Sequence, residues 1–151
     1  MGWQDPPAYP EFRLGYLPEA VAVDPTGRFV YVANRGSSDV SMFAVDATSR
    51  TLRLLQPERV KTGGEPQSIA VDPTGRFAYV ANFSSEANSV GMYRIEMTSG
   101  QLIPQADAPA GQGPISVAID PTSQFVYVAN YYTNTLLLDS RVLCSRAVRE
   151  G

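Results

Sequence analysis

Histidine is missing from all 151 residues, which removes the commonest general base and the commonest metal ligand together. Cysteine is nearly missing as well. The one thiol, Cys144, cannot form an internal disulfide and gives no sign of an oxidising compartment. There is no cysteine cluster, no Gly-rich phosphate loop and no Gly-x-Ser-x-Gly elbow. Charge is sparse and scattered: 12 Lys and Arg against 15 Asp and Glu leave a net −3, without the clustered basic face that nucleic acid requires. No apolar run approaches the roughly 20 residues that span a membrane. No segment has the 3.6-residue period with caps that marks a helix. Met1–Tyr16 carries Pro6, Pro7 and Pro10 with Trp3 and Phe12, not the apolar core of a signal peptide, so a cytoplasmic location is expected. The composition implies no cofactor and no metal.

What is present is repetition. Asp-Pro-Thr-Gly-Arg-Phe-Val-Tyr-Val-Ala-Asn begins at Asp24, returns almost unchanged at Asp72, and returns at Asp120 with Ser123 and Gln124 in place of Gly and Arg, a period of 48 residues. A fixed period of this length is the mark of a repeat architecture. Asp, Pro and Gly fall at positions i, i+1 and i+3 of a type I turn. The flanking Val21-Ala22-Val23 and Phe29-Val30-Tyr31-Val32-Ala33 are small, β-branched or aromatic. Strand, tight turn, strand is a hairpin.

A full repeat holds four strands. In the second copy these are Ser68–Val71 (read as buried on both faces), Phe77–Ala81, Val90–Ile95 and, after the turn Thr98-Ser99-Gly100, a short Gln101–Ile103. Four antiparallel strands in such a period make a β-propeller blade. The fold class expected is therefore all-β, a β-propeller of about three four-stranded antiparallel blades. The division is 1–16 lead-in, 17–64 first blade, 65–112 second blade, 113–138 incomplete third blade and 139–151 divergent tail. The aromatic pairs Phe29/Tyr31, Phe77/Tyr79 and Phe125/Tyr127 each share one strand face and are expected between blades. Gly27 and Gly75 are expected at positive φ, which leaves Ser123 strained or in another turn.

A closed propeller typically has four to eight blades. Three would leave open edges and apolar faces in water, so either a homodimer closes the ring or the missing blades belong to a longer chain. The third copy stops matching after Leu138. Residues 139–151 then read as a truncated or frame-shifted end, or as an atypical capping repeat.

Asp24, Asp72 and Asp120 invite a calcium or acid-catalysis reading, but their place at the head of a turn explains them through bonds to the turn's own backbone. Asn34, Asn82 and Asn130 read as anchors of the loop that follows. The informative variation lies in those loops: Arg35–Asp39, Phe83–Asn88 (longer by two residues) and Tyr131–Asn134. In a propeller they share one face with the segments that lead into each innermost strand, around the mouth of the channel, where variable loops on a constant frame carry specificity. The candidate ligand-binding surface is Glu19, Arg35, Gln67, Ser68, Phe83, Glu86, Ser116, Tyr131 and Tyr132. Each has a plain alternative as a solvated loop residue.

Pro66-Gln67-Ser68-Ile69-Ala70-Val71-Asp72-Pro73-Thr74-Gly75-Arg76-Phe77-Ala78-Tyr79-Val80-Ala81-Asn82, then Ser89–Ile95, then Thr98-Ser99-Gly100-Gln101-Leu102, resembles the lactonase family of seven-bladed propellers. That family includes bacterial phosphogluconolactonases and muconate-lactonizing cycloisomerases. The Tyr-Val-Ala-Asn element is also similar to the Tyr-Val-Thr-Asn repeat of surface-layer propellers. The resemblance covers about 17–138. It implies a small lactone or sugar ligand, no cofactor, and a site of His, Arg and Glu side chains at the channel mouth. Here the positions that would carry such a His hold Ala20, Ser68 and Ser116, and only Arg35 and Glu86 have suitable chemistry on that face. Three readings follow: a lactone hydrolase with an Arg stabilising the oxyanion and a Glu as base, a non-catalytic binding or scaffold propeller, and an inactive fragment of either.

Overall fold

The computed structural model describes residues 12–139. Every regular element among them is a strand. The first sheet runs in the order β1 (Pro18–Val23), β2 (Phe29–Asn34), β3 (Asp39–Val45), β4 (Leu52–Lys61). The second runs β5 (Pro66–Val71), β6 (Phe77–Asn82), β7 (Ser89–Ile95), β8 (Leu102–Pro104), with β9 (Ala108–Pro109) also paired to β7. The third runs β10 (Pro114–Ile119), β11 (Val126–Asn130), β12 (Thr135–Asp139). All pairs are antiparallel. This is a partial β-propeller.

The outer strand departs from expectation. In the first blade it is not short, as the Gln101–Ile103 pattern of the second copy led one to expect, but ten residues long, with a bulge between Ser41 and Phe43 on its partner. In the second blade the same edge is broken into β8 and β9, which end at Pro104 and Pro109. Proline lacks the N–H that would continue the ladder.

The inner hairpins follow the turn chemistry closely. The Gly27 N–H donates to the Asp24 carbonyl at 2.9 Å, and the Asp24 N–H donates to the Phe29 carbonyl at 3.0 Å. Gly27 and Gly75 sit at φ 71° and 70°. Ser123 takes the same left-handed conformation, φ 58°, despite its side chain. The strain alternative is thus the one realised, and the buried Ser123 hydroxyl finds no partner among the described residues.

Two apolar seams hold the blades together. At the first, Phe29, Tyr31, Ala33, Val40 and Met42 of the first blade pack against Ile69, Ala78, Val80, Tyr93, Ile95 and Leu102 of the second. At the other, Phe77, Tyr79, Ala81, Val90 and Met92 meet Val117, Val126 and Val128 of the third. Two of the three expected aromatic pairs, Phe29/Tyr31 and Phe77/Tyr79, lie between blades as the two-residue spacing requires. Phe125 and Tyr127, with no described blade beyond them, are half-exposed. The reading of the innermost strand as buried on both faces needs correcting. In β5 only Pro66 and Ile69 are fully buried, and the rest are half-buried; its alternate side chains do face both seams, with Ile69 and Val71 in the first and Ala70 against the second.

Polar contacts lock the seams. The Tyr31 hydroxyl donates to the Gly100 carbonyl at 2.6 Å, and Arg28 donates to the Met97 carbonyl at 3.2 Å. Gly100, at φ 79°, lies under the Phe29 ring, where a Cβ would come 2.6 Å from Phe29 Cγ. Its counterpart in the first blade is Arg50, also left-handed at φ 61° but exposed. The outer face of that blade is partly covered from the same chain: the Phe12 ring meets Phe43 edge-on at 5.8 Å.

Candidate functional site

The loops after β2, β6 and β11 lie beside the segments leading into β1, β5 and β10. Backbone bonds tie each pair: Arg35 N–H to the Leu17 carbonyl at 2.8 Å, Phe83 N–H to Glu65 at 2.7 Å, Tyr131 N–H to Gly113 at 2.7 Å. One rim therefore carries all the candidate residues.

A repeated polar anchor builds that rim. Asn34 donates through Nδ2 to Asp39 at 2.7 Å and Ser41 at 2.9 Å; Asn82 donates to Ser89 at 3.1 Å; Asn130 donates to Thr135 at 3.3 Å. All three carboxamides are buried, as anchors should be. Against each lies a glycine, Gly15, Gly63 or Gly111, where a Cβ would collide with the Asn or its partners. These glycines also recur every 48 residues. That spacing was visible in the sequence, but glycines in variable loops do not announce a contact.

At the start of each innermost strand the ladder slips by one residue, between Pro18 and Ala20, Pro66 and Ser68, and Pro114 and Ser116. Glu19, Gln67 and Ile115 are the bulged residues. Bulges re-aim side chains and are common beside functional sites. Glu19 reaches Arg35 at 3.8 Å, with both side chains about 40% exposed. Gln67 is half-buried, and Ser116 is exposed on β10. Ser68 links neighbouring innermost strands, because its hydroxyl accepts the Val117 N–H at 3.2 Å.

The second and third blades present rings. Phe83 and Tyr132 have centroids 5.4 Å apart, and Tyr131 meets Tyr132 edge-on at 5.3 Å. Gly113, at φ 70°, lets the rings close over the backbone; a Cβ there would lie 2.6 Å from Tyr132 Cδ2 and 3.1 Å from Phe83 Cε2. The Gly113 N–H donates to Asn88 Oδ1 at 2.9 Å, which joins the two blades at this point. The bridge comes from Asn88, the left-handed residue before β7 that corresponds to Ser38 and Asn134 in the other two loops. Glu86 is exposed in the same loop. Among the described residues no hydrogen bond or ion pair joins it to Arg35.

The repeated aspartates serve their turns. Asp24 Oδ1 accepts the Phe29 N–H at 2.8 Å, Asp72 Oδ1 accepts those of Arg76 at 2.9 Å and Phe77 at 3.0 Å, and Asp120 Oδ1 accepts those of Gln124 at 2.8 Å and Phe125 at 2.7 Å. Burial pushes the Asp24 carboxyl up, but bonds from the Thr26 hydroxyl and the turn's N–H groups outweigh it and hold the pKa below the ordinary value. Bonds from Thr122 and the turn backbone do the same for Asp120. No cluster of three metal-binding side chains occurs among the described residues. A cleft of about 310 Å³, lined by Ala44, Val45, Asp46, Ala47, Thr51 and Arg53, lies at the opposite end of the first blade from the rim.

The sequence pattern of the family described as Lactonase, 7-bladed beta-propeller matches residues 4–112 and 57–140. The chain belongs to this lactonase family. No curated protein matches it in sequence. Among solved structures, it is similar to a protein from Lactobacillus plantarum at 23% identity and TM-score 0.74, covering 84% of this chain and 38% of that one. It is also similar to a "putative 6-phosphogluconolactonase" from Bacteroides uniformis at 20% identity and TM-score 0.71, with coverage of 84% and 37%. A protein of unknown function from Desulfotomaculum acetoxidans aligns at 20% identity and TM-score 0.69, with coverage of 83% and 42%. These likenesses speak for the fold. The lactonase-family chain spans about two fifths of the length of each of these structures. No helix among the described residues is long and apolar enough to cross a membrane.

Proposed function

We propose that this lactonase-family segment binds a small lactone or sugar ring on the loop rim of its blades, and that its own residues bind the ring without hydrolysing it. The observation that carries this reading is the rim's division of labour. Arg35 on this rim stands against Glu19 at 3.8 Å, while Glu86 stands in another blade, with no hydrogen bond or ion pair joining it to Arg35 among the described residues. A hydrolase needs a base aimed at water and a donor aimed at the developing oxyanion, held together around one reacting carbon. A binding rim needs only shape, rings and a few polar groups.

Glucono-δ-lactone tests it: ligand-observed NMR with the full chain should detect binding, while titration of released acid should match the spontaneous rate. Absence of lactone binding would overturn the reading. A second reading has the Glu19–Arg35 contact in its favour, with Glu19 as base and Arg35 as oxyanion donor. It requires hydrolysis that disappears in both Glu19→Gln and Arg35→Gln.

A further inference from the structure

The rim is chemically uneven. Its first-blade part is charged, with Glu19 and Arg35 side by side. Its second- and third-blade part is aromatic. There Phe83, Tyr131 and Tyr132 form one continuous cluster, with Tyr131 61% and Tyr132 62% exposed. Two exposed tyrosines in contact on a loop tip are a costly way to meet water, because ring faces gain little from solvent that a polar loop residue would not gain more cheaply. The cluster is also held in place. The Asn88–Gly113 bond joins the two loops, and Gly113 leaves the space in which the Tyr132 and Phe83 rings approach.

Charge narrows what such a cluster can take. The stretches that build this part of the rim are Thr62–Glu65, Phe83–Asn88, Ala110–Gly113 and Tyr131–Asn134. They contain no lysine or arginine and two carboxylates, Glu65 and Glu86, both exposed. An anionic ligand, such as a phosphorylated sugar or a free sugar acid, would meet repulsion and no counter-charge. The rings touch one another, leaving no gap for a cation to be enclosed on several sides; Phe83 and Tyr132 are tilted by 35° and Tyr131 stands at 78° to Tyr132, so the cluster offers an open ring surface bounded by an upright ring. A flat, uncharged, polyhydroxylated ring matches it, with its C–H face on the aromatic rings and its hydroxyls toward Glu86 and Gln112 at the edge, the latter carrying the carbonyl that accepts the Tyr132 N–H at 3.1 Å.

We propose that Phe83, Tyr131 and Tyr132 form a stacking platform for an uncharged sugar or lactone ring, selecting against phosphorylated ones. This rests on the sugar- or lactone-binding reading above and adds where the ring lies and which charge state is accepted.

The test uses the full 151-residue chain with three probes: methyl β-D-glucopyranoside, glucose 6-phosphate and choline. Affinities are read by calorimetry and by shifts of aromatic ring protons at low ionic strength. Tyr131→Ala/Tyr132→Ala removes the platform, Gly113→Ala displaces the rings without removing them, and Arg53→Gln on the outer strand is the control; thermal melts confirm that each variant is folded. The glucoside should bind with shifts on these rings, more tightly than glucose 6-phosphate. Affinity should fall roughly tenfold in the double variant and in Gly113→Ala, and hold in the control. Glucoside affinity unchanged in the double variant would overturn the platform and leave the binding reading standing, as would a wild-type chain that binds glucono-δ-lactone without shifting these ring protons. Tighter binding of choline, lost in the double variant, would overturn the ligand class. Binding of no sugar and no lactone would overturn both proposals.

Discussion

Val40 and Leu136 stand at the same place in their repeats, second in the strand that follows the rim loop, yet Val40 is fully buried and Leu136 is 68% exposed. Met42 and Leu138, two residues on, repeat the contrast at 1% and 53%. The first blade turns this face to a neighbour, and the third has none among the described residues. A residue of the same kind at the same register is core in one and surface in the other, so the pattern within a blade cannot by itself say which faces are stable in water. The other end of the arc differs again. The outer face of the first blade leaves Val21 and Val23 exposed, but Phe12 covers Phe43, and Arg50 stands where the second blade has Gly100. At the internal seam the Phe29 ring lies over that glycine. A Phe125 placed in the same way on a second copy would meet the Arg50 side chain. Two copies joined end to end would therefore not repeat the internal seam.

The comparison is broken most forcefully at the ring that crosses the seam. Tyr31→Ala removes a fully buried side chain and its bond to the Gly100 carbonyl, and should cost about 3–5 kcal/mol, as large buried aromatics do. Tyr127→Ala, the same substitution on the half-exposed face, should cost about 1 kcal/mol or less. Urea midpoints of the two variants check this, and equal losses would mean that the third blade's face is covered in solution.

The turn beneath Phe29 gives the next largest effect. Gly100→Ala adds a Cβ under the ring at a left-handed φ of 79°, and should destabilise by about 1–3 kcal/mol. At the matching turn, Arg50→Gly relieves a left-handed residue with no ring above it and should be neutral or stabilising by up to about 1 kcal/mol. Thermal melts distinguish the two signs.

Ser123→Gly sharpens the contrast between the third turn and the other two. It releases φ 58° from a non-glycine residue and removes a buried hydroxyl without a described partner. A stabilisation of about 0.5–1 kcal/mol should appear as a higher urea midpoint.

The smallest effect is on acid stability. Asp24 has a folded pKa below its unfolded one, so its contribution is present above the ordinary carboxylate value near 4 and is lost as pH falls through the folded value. Asp24→Asn should give a flatter stability profile between neutral pH and pH 3 than the wild type. A profile parallel to the wild type would show that other carboxylates carry the acid dependence.

Much of this was legible in residue order because the chain writes its unit three times. The 48-residue period, the Asp-Pro-Thr-Gly turn and the alternation of Phe and Tyr depend on neighbours one to five residues apart, and local steric and hydrogen-bond rules settle such features. The left-handed glycines, the Asp bonds to the turn and the aromatic seam followed from them. The outer strands were harder, since their length depends on where a partner strand and a proline permit pairing. The Gly15, Gly63 and Gly111 contacts also lay outside local reasoning: each glycine meets an asparagine 19 residues further along.

The sequence by itself determined the blade, its repeat and its family, because those rest on short-range chemistry repeated in register. Only the tertiary structure decided which side chains meet at the rim, setting Glu19 against Arg35 and gathering Phe83 with Tyr131 and Tyr132 across two blades. It also decided that one leucine-bearing face lies open where its equivalents are core. The physical reason is the same for both: a strand's own residues specify its pleat and its turn, whereas contacts between blades depend on how far the arc continues and on which loop lengths bring distant side chains to the same edge.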